Sequence, residues 1–120
     1  MAEQDDGDVS LMERTLPPGG RRPPVHRHTN CSEAYLVLDG RVSVAVAGEE
    51  LTVEPLGIAL VPRGTVHTFG NAVDEPARLL VIHAPAMDAY CAGLHELWNR
   101  GEPPPDEERA LMSRFGMETT

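Results

Sequence analysis

Glycine and proline punctuate the first 86 residues so closely that long helices are excluded there. The chain has 120 residues, with 11 Gly and 11 Pro. Between the breaks lie short runs rich in Val, Leu, Ile and Thr, the pattern of β-strands joined by tight turns. Val9–Leu16 alternates in part and reads as a first strand. Pro17-Pro18-Gly19-Gly20-Arg21-Arg22-Pro23-Pro24 cannot be a central strand, because proline has no amide to give a ladder. It reads as an extended loop at the mouth of a barrel. Ala34–Leu38 is a strand closed by Asp39-Gly40, a strong hairpin signal. Arg41–Val46 alternates cleanly, Leu51–Val53 returns after Ala47-Gly48-Glu49-Glu50, and Ile58–Val61 follows the turn Glu54-Pro55-Leu56-Gly57. Val66–Phe69 and Ala77–His83 complete the set. Many short strands at this spacing predict an all-β antiparallel barrel or sandwich.

The last third changes period. Met87, Tyr90, Cys91, Leu94, Leu97 and Trp98 recur at three and four, so residues 87–99 read as an amphipathic helix, with His95 and Trp98 as packing residues. Arg100–Pro105 breaks it. Asp106 is placed to cap a second helix that buries Leu111, Met112 and Phe115 and stops at Gly116. This divides the chain into a disordered lead-in (1–8), a barrel (9–86) and a C-terminal helical extension (87–120) packed on the barrel or on a second subunit.

Charge narrows the function classes. The net charge of −9 argues against nucleic acid and against an anionic membrane surface. No run of about 18 apolar residues suggests a membrane span. The start, Met1–Asp8, is acidic and polar, where a signal peptide needs a basic start and an apolar core. The expectation is a cytoplasmic protein in which Cys31 and Cys91 are thiols. Cys31 reads as a loop or packing residue, with a thiol ligand as the alternative.

Within this frame, His26-Arg27-His28 would direct both imidazoles to one face of a strand and Arg27 to the other. Glu33 opens the next strand, and His67 follows the turn Pro62-Arg63-Gly64. Three neutral imidazoles and a carboxylate can hold a first-row divalent metal and leave positions open for substrate or oxygen. Each residue alone has an ordinary reading as surface or hydrogen-bonded histidine. No Ser-His-Asp arrangement, P-loop or dinucleotide fingerprint is present, and Gly19-Gly20 is too short to cradle phosphate.

Two motifs carry a resemblance. Gly20, five residues, His26-x-His28, four residues, Glu33, six residues and Gly40 resembles the first motif of the cupin superfamily. Pro62-x-Gly64-x-x-His67-x-x-x-Asn71 is similar to the second. One departure is visible: Leu56 stands where the second motif opens with glycine, and Gly57 comes one place late. The resemblance spans about residues 8–86 and is to small single-domain cupins of bacterial type. It implies a double-stranded β-helix, or jelly-roll barrel, with a short helical tail. It also implies a metal at His26, His28, Glu33 and His67, with Fe(II) favoured and Mn, Ni, Zn, Co or Cu as alternatives. A homodimer is expected by the same resemblance.

Around such a site, Tyr35 shares the inward face with Glu33, as an acid–base group or a packing aromatic. Phe69 would give an apolar wall. The side of His83 cannot be fixed from sequence; if inward, it would be a proton shuttle. Arg41, Ser43 and Thr65 are candidate polar lining, Arg21 and Arg22 are candidates for an anionic substrate, and Asn71 reads as a turn residue. The functional expectation is a metal-dependent enzyme on a small oxygenated molecule, a dioxygenase first. A non-redox cyclase, isomerase or lyase is the runner-up, and a ligand-binding module without catalysis is third.

Overall fold

A computed structural model describes residues 8–19, 22–29 and 31–119, apart from the side chain of Asp88. The elements are β1 (Ser10–Leu16), β2 (His26–His28), β3 (Ser32–Asp39), β4 (Val42–Val46), β5 (Glu49–Val53), β6 (Ile58–Val61), β7 (His67–Asn71), β8 (Ala77–Ala84), α1 (Asp88–Asn99), α2 (Pro105–Arg114) and β9 (Met117–Thr119). The lead-in at 1–7, with Gly20 and Arg21, lies outside the described residues.

The strands form two antiparallel sheets in the orders β1-β8-β3-β6 and β5-β4-β7-β2-β9. Period-2 alternation decides what each sheet buries. From β3 and β8, Tyr35, Val37, Leu79 and Val81 point inward; from β4 and β7, Val42, Val44 and Phe69 meet them. The Tyr35 and Phe69 rings pack across the sandwich with centroids 4.9 Å apart. Such interdigitation of two inner faces gives a jelly roll its core. The outer face of the four-stranded sheet is also apolar, and Leu11, Ile58 and Leu60 stand exposed on it.

Turn chemistry fixes the register. Gly40 takes φ 75°, and a Cβ there would lie 3.0 Å from the Cα of Ala77. The Gly64 amide donates to the His28 carbonyl at 2.8 Å, which ties the turn before β7 to the end of β2. Leu56, at the position of the motif's missing glycine, adopts φ 68°. The backbone keeps the left-handed turn, and the leucine carries its strain while 82% exposed.

The tail differs from the sequence expectation in three places. Its last residues are a strand: β9 pairs with β2, placing Thr119 opposite His26 and Met117 opposite His28. A three-residue strand has no period of its own, and its partner lies far back along the chain. The N-cap of α2 is Pro104, and Asp106 sits in the first turn, where its carboxylate accepts from Arg109 at 3.2 Å. His95 is exposed and packs on nothing that defines the core, whereas Trp98 is half-buried, with the Arg14 guanidinium 5.3 Å over its ring. Between them, α1, α2 and β9 bury Tyr90, Cys91, Leu94, Leu97, Leu111, Met112 and Met117 in a second apolar cluster at one end of the sandwich.

Candidate metal centre

The histidine pair, the carboxylate and the third histidine converge inside the barrel. His26 and His28 are both buried, and Arg27 between them is exposed. Arg27 donates outward to Glu118 of β9 at 2.7 Å. His26 pairs directly with His67 across β2 and β7. One ligand atom from each of His26, His28, Glu33 and His67 lies within 4.8 Å of the others.

Hydrogen bonds aim these groups. His26 Nδ1 lies 2.7 Å from the Pro24 carbonyl, and His67 Nδ1 lies 2.9 Å from the Thr65 carbonyl. A carbonyl can only accept, so both rings carry their proton on Nδ1 and leave Nε2 for the interior. His67 Nε2 then faces Glu33 Oε1 at 2.8 Å. To donate on both sides the ring would need two protons; a cation between Nε2 and the carboxylate removes that demand. His28 makes the stronger case. Neither of its ring nitrogens has a hydrogen-bond partner, although the residue is 4% exposed. Its Nε2 stands 3.4 Å from Glu33 Oε2, near enough to act through charge but outside hydrogen-bond geometry. Buried polar atoms left unpaired are costly, and a cation on one of these nitrogens would supply it with the partner it lacks. The donor set, three imidazoles and one carboxylate, suits Fe, Mn, Co, Ni, Cu or Zn.

Electrostatics agree with that reading. Burial, with the His67 ring alongside, pushes His26 down to about 4, so its imidazole is neutral and free to ligate. Burial would raise Glu33, but the His28, His67 and His83 rings that face it hold its carboxyl well below the usual range.

His83 is the residue whose side sequence alone could not settle, and it faces in. Its Nε2 lies 2.5 Å from Glu33 Oε2. Burial opposes charge on this ring, yet Cys91 Sγ at 3.8 Å from Nδ1 and the Glu33 carboxylate outweigh it and push the imidazole up to about 9. Tyr35 is fully buried and donates its hydroxyl to Glu33 Oε1. Burial and the adjacent carboxylate push its phenol well above the ordinary range, so it remains a donor.

Other candidates lie elsewhere. Ser43 donates to Glu50 at 2.5 Å and Arg41 to Glu54 at 3.1 Å, both at the surface, so neither lines the centre. Thr65 contributes its carbonyl to His67. Arg22 is bound to Glu50 at 3.0 Å on the far sheet, and Arg21 lies outside the described residues. The Asn71 side chain donates to the carbonyls of Leu16 and Glu75 and is a turn residue, as expected. Cys31 Sγ packs 3.3 Å from Met87 Sδ and does not join the four ligand candidates; burial and Glu33 push its thiol up to about 12.

Three groups went unnoticed in the sequence. Arg14, Tyr90 and Glu108 line the cavity of about 20 Å³ that also touches His26, His28, Glu33 and His83. Glu108 sits in Asp106-Glu107-Glu108-Arg109, which reads as a solvated face, yet it is 0% exposed. Arg14 lies 5.5 Å over the Phe69 ring. The space fits about one water or ion. Residues of the tail therefore roof the centre.

Residues 12–83 match the family described as the cupin domain. The protein TT1209 from Thermus thermophilus is 34% identical, with 68% of this chain and 76% of that one covered at a TM-score of 0.62. A sugar phosphate isomerase of the cupin superfamily from Silicibacter pomeroyi is 25% identical over 67% of this chain and 52% of that one, at a TM-score of 0.60. KdgF from Halomonas sp. shares the fold at 19% identity, a TM-score of 0.63 and coverage of 73% of this chain and 76% of its own. No curated protein matches the chain. No helix among the described residues is long and apolar enough to cross a membrane. With well over half of its length in that match and a double-stranded β-helix built around two sheets, the chain belongs to the cupin family.

Proposed function

We propose that this cupin is a metal-dependent enzyme acting on a small oxygenated organic molecule, with His26, His28, Glu33 and His67 as the ligands. The observation that carries this reading is His28, a buried imidazole with both nitrogens unpartnered, inside a cluster whose other rings turn Nε2 inward. When bound, the ion supplies Lewis-acid polarisation of a substrate oxygen, or redox chemistry with dioxygen. The chain's own residues do the rest. Backbone carbonyls of Pro24 and Thr65 fix two rings in the ligating tautomer. Tyr35 and His83 hold the Glu33 carboxylate from both oxygens. The nearly filled interior excludes bulk water.

A dioxygenase is the first reading, because an ion held by His26, His28, Glu33 and His67 would have room left for substrate and oxidant together. A non-redox isomerase, lyase or cyclase is the second, favoured by one specific feature: His83, pushed up to about 9, is a proton-holding group beside the centre. The test is metal counting on untagged protein, then oxygen uptake against a panel of catechols, enols and hydroxyketones. Near one equivalent of metal with substrate-dependent oxygen uptake supports the first reading. Turnover without uptake selects the second. Absence of metal at any added ion concentration overturns both and leaves a binding module.

The homodimer is proposed to form through the outer face of the sheet β1-β8-β3-β6. Leu11, Ile58 and Leu60 stand exposed there beside Leu36, Leu80 and Ile82. In a chain of net charge −9, a face that is mostly apolar, with Glu13 neutralised by Arg78, is where two copies approach at least electrostatic cost.

A further inference from the structure

A second, larger pocket abuts the centre. Its volume is about 280 Å³, near the lower end of the ~300–1,000 Å³ typical of ligand sites. His28 and Tyr90 line both it and the small internal cavity, so these two side chains form the wall between the outer pocket and the ligand cluster. Ala86, Met87, Ala89 and Phe115 supply most of the rest. None of its described lining residues is Asp, Glu or Arg. The chain has no lysine, so all ten basic residues are arginines. Five of these are paired with carboxylates elsewhere: Arg22, Arg27, Arg41, Arg78 and Arg109. A phosphate or carboxylate held here would be stripped of water with no cationic side chain among the described lining residues to receive it. An uncharged ring would be buried among Pro85, Ala86, Met87, Ala89 and Phe115, with His28, Thr29, Cys31 and Tyr90 as the polar residues of the wall.

We propose that this pocket, walled by His28, Tyr90, Met87 and Phe115, takes an uncharged small molecule about the size of a single substituted ring and presents its oxygenated end to the metal centre. This rests on the metal-enzyme reading above and narrows it: the part of the substrate held in this pocket carries no phosphate or carboxylate. Most of the pocket comes from residues 85–90 and 115, beyond the part of the chain matched to the family, so the specificity it sets belongs to the tail.

The experiment is calorimetric titration of the full chain, metal-loaded and metal-stripped, with 4-methylphenol and with phenyl phosphate. The pocket predicts 4-methylphenol binding at least about tenfold tighter than phenyl phosphate in the metal-stripped protein, where no ion can hold the phosphate. Ala89→Phe, which fills the pocket from α1, should weaken 4-methylphenol by at least about tenfold with metal content unchanged. In the wild-type chain the same probe should shift the amide resonances of Ala89 and Phe115, a readout that needs no variant. Equal or tighter binding of phenyl phosphate to the metal-stripped protein, no binding of either probe, or shifts confined to other residues would overturn the proposal. Because the metal-stripped protein is titrated separately, loss of the metal reading and loss of the pocket give different results.

Discussion

Glu33 and His83 stand directly opposite each other on β3 and β8, and His83 Nε2 lies 2.5 Å from Glu33 Oε2. The pairing sets His83 on the Glu33 carboxylate alongside Tyr35 and His67. It means that Glu33 can give one oxygen to a cation while the other stays anchored, which holds the carboxylate in one orientation.

His83→Gln keeps a neutral donor toward Glu33 and removes the exchangeable imidazole proton. Metal content should stay within about twofold of wild type, while turnover on the substrate found by screening falls by about a hundredfold or more if proton transfer uses this ring. Unchanged turnover would reduce His83 to an anchor of Glu33.

His28→Leu removes two polar atoms that hydrogen-bond to nothing. The metal-free protein should therefore change in stability by less than about 1 kcal/mol in urea denaturation. Metal at a hundred times its dissociation constant should stabilise the wild-type chain by about 2.7 kcal/mol and the variant by nothing measurable. A variant that unfolds without metal would show that His28 is a structural residue.

Tyr35→Phe deletes the hydroxyl that donates to Glu33 and leaves the ring packed on Phe69. Removing a hydrogen bond to a charged group costs about 1.5–3 kcal/mol, so the denaturation midpoint should fall while metal content is retained. Loss of metal together with stability would place Tyr35 in control of the ligand itself.

Leu56→Gly should stabilise the protein. Leucine in the left-handed region costs about 1–2 kcal/mol, and glycine returns part of that as unfolded-chain entropy, leaving a gain of about 0.5–1 kcal/mol. The exposed side chain gives up no buried contact. A lower melting temperature would mean that the Leu56 side chain makes a contact in solution, for instance with a second copy.

Leu60→Arg places a charge on the edge strand β6 of the exposed outer sheet face and should leave the ligand cluster untouched, because the residue is 68% exposed and points away from it. Sedimentation should show a dimer in the wild type and a monomer in the variant at equal metal content. Two identical profiles would remove this face as the interface.

Much of the barrel was legible because its turns are chemically explicit. Asp39-Gly40 and Pro62-Arg63-Gly64 can do little but turn, and the alternation in Val42–Val46 assigns its faces unaided. His26 and His28 were readable as a pair for the same reason. The orientation of His83 was not readable, because Leu79-Leu80-Val81-Ile82 is apolar at every position. The outer face of that sheet is as greasy as the inner one, so the period-2 signal disappears, and the cross-strand register with Glu33 is what distinguishes them. Glu108 was hidden by its acidic neighbours, and β9 by its length.

The sequence by itself determined the strands of the barrel before the tail, their turns, the cupin motifs and the four ligand candidates, since these depend on local backbone chemistry and on residue type at short spacing. Only the tertiary structure decided what surrounds them. The packing of α1, α2 and β9 against β1, β2 and β8 brings Tyr90 and Glu108 over the centre and carves the pocket beside His28. Those contacts join residues far apart along the chain, and the apolar burial that drives them is non-directional, so no local pattern encodes where they meet.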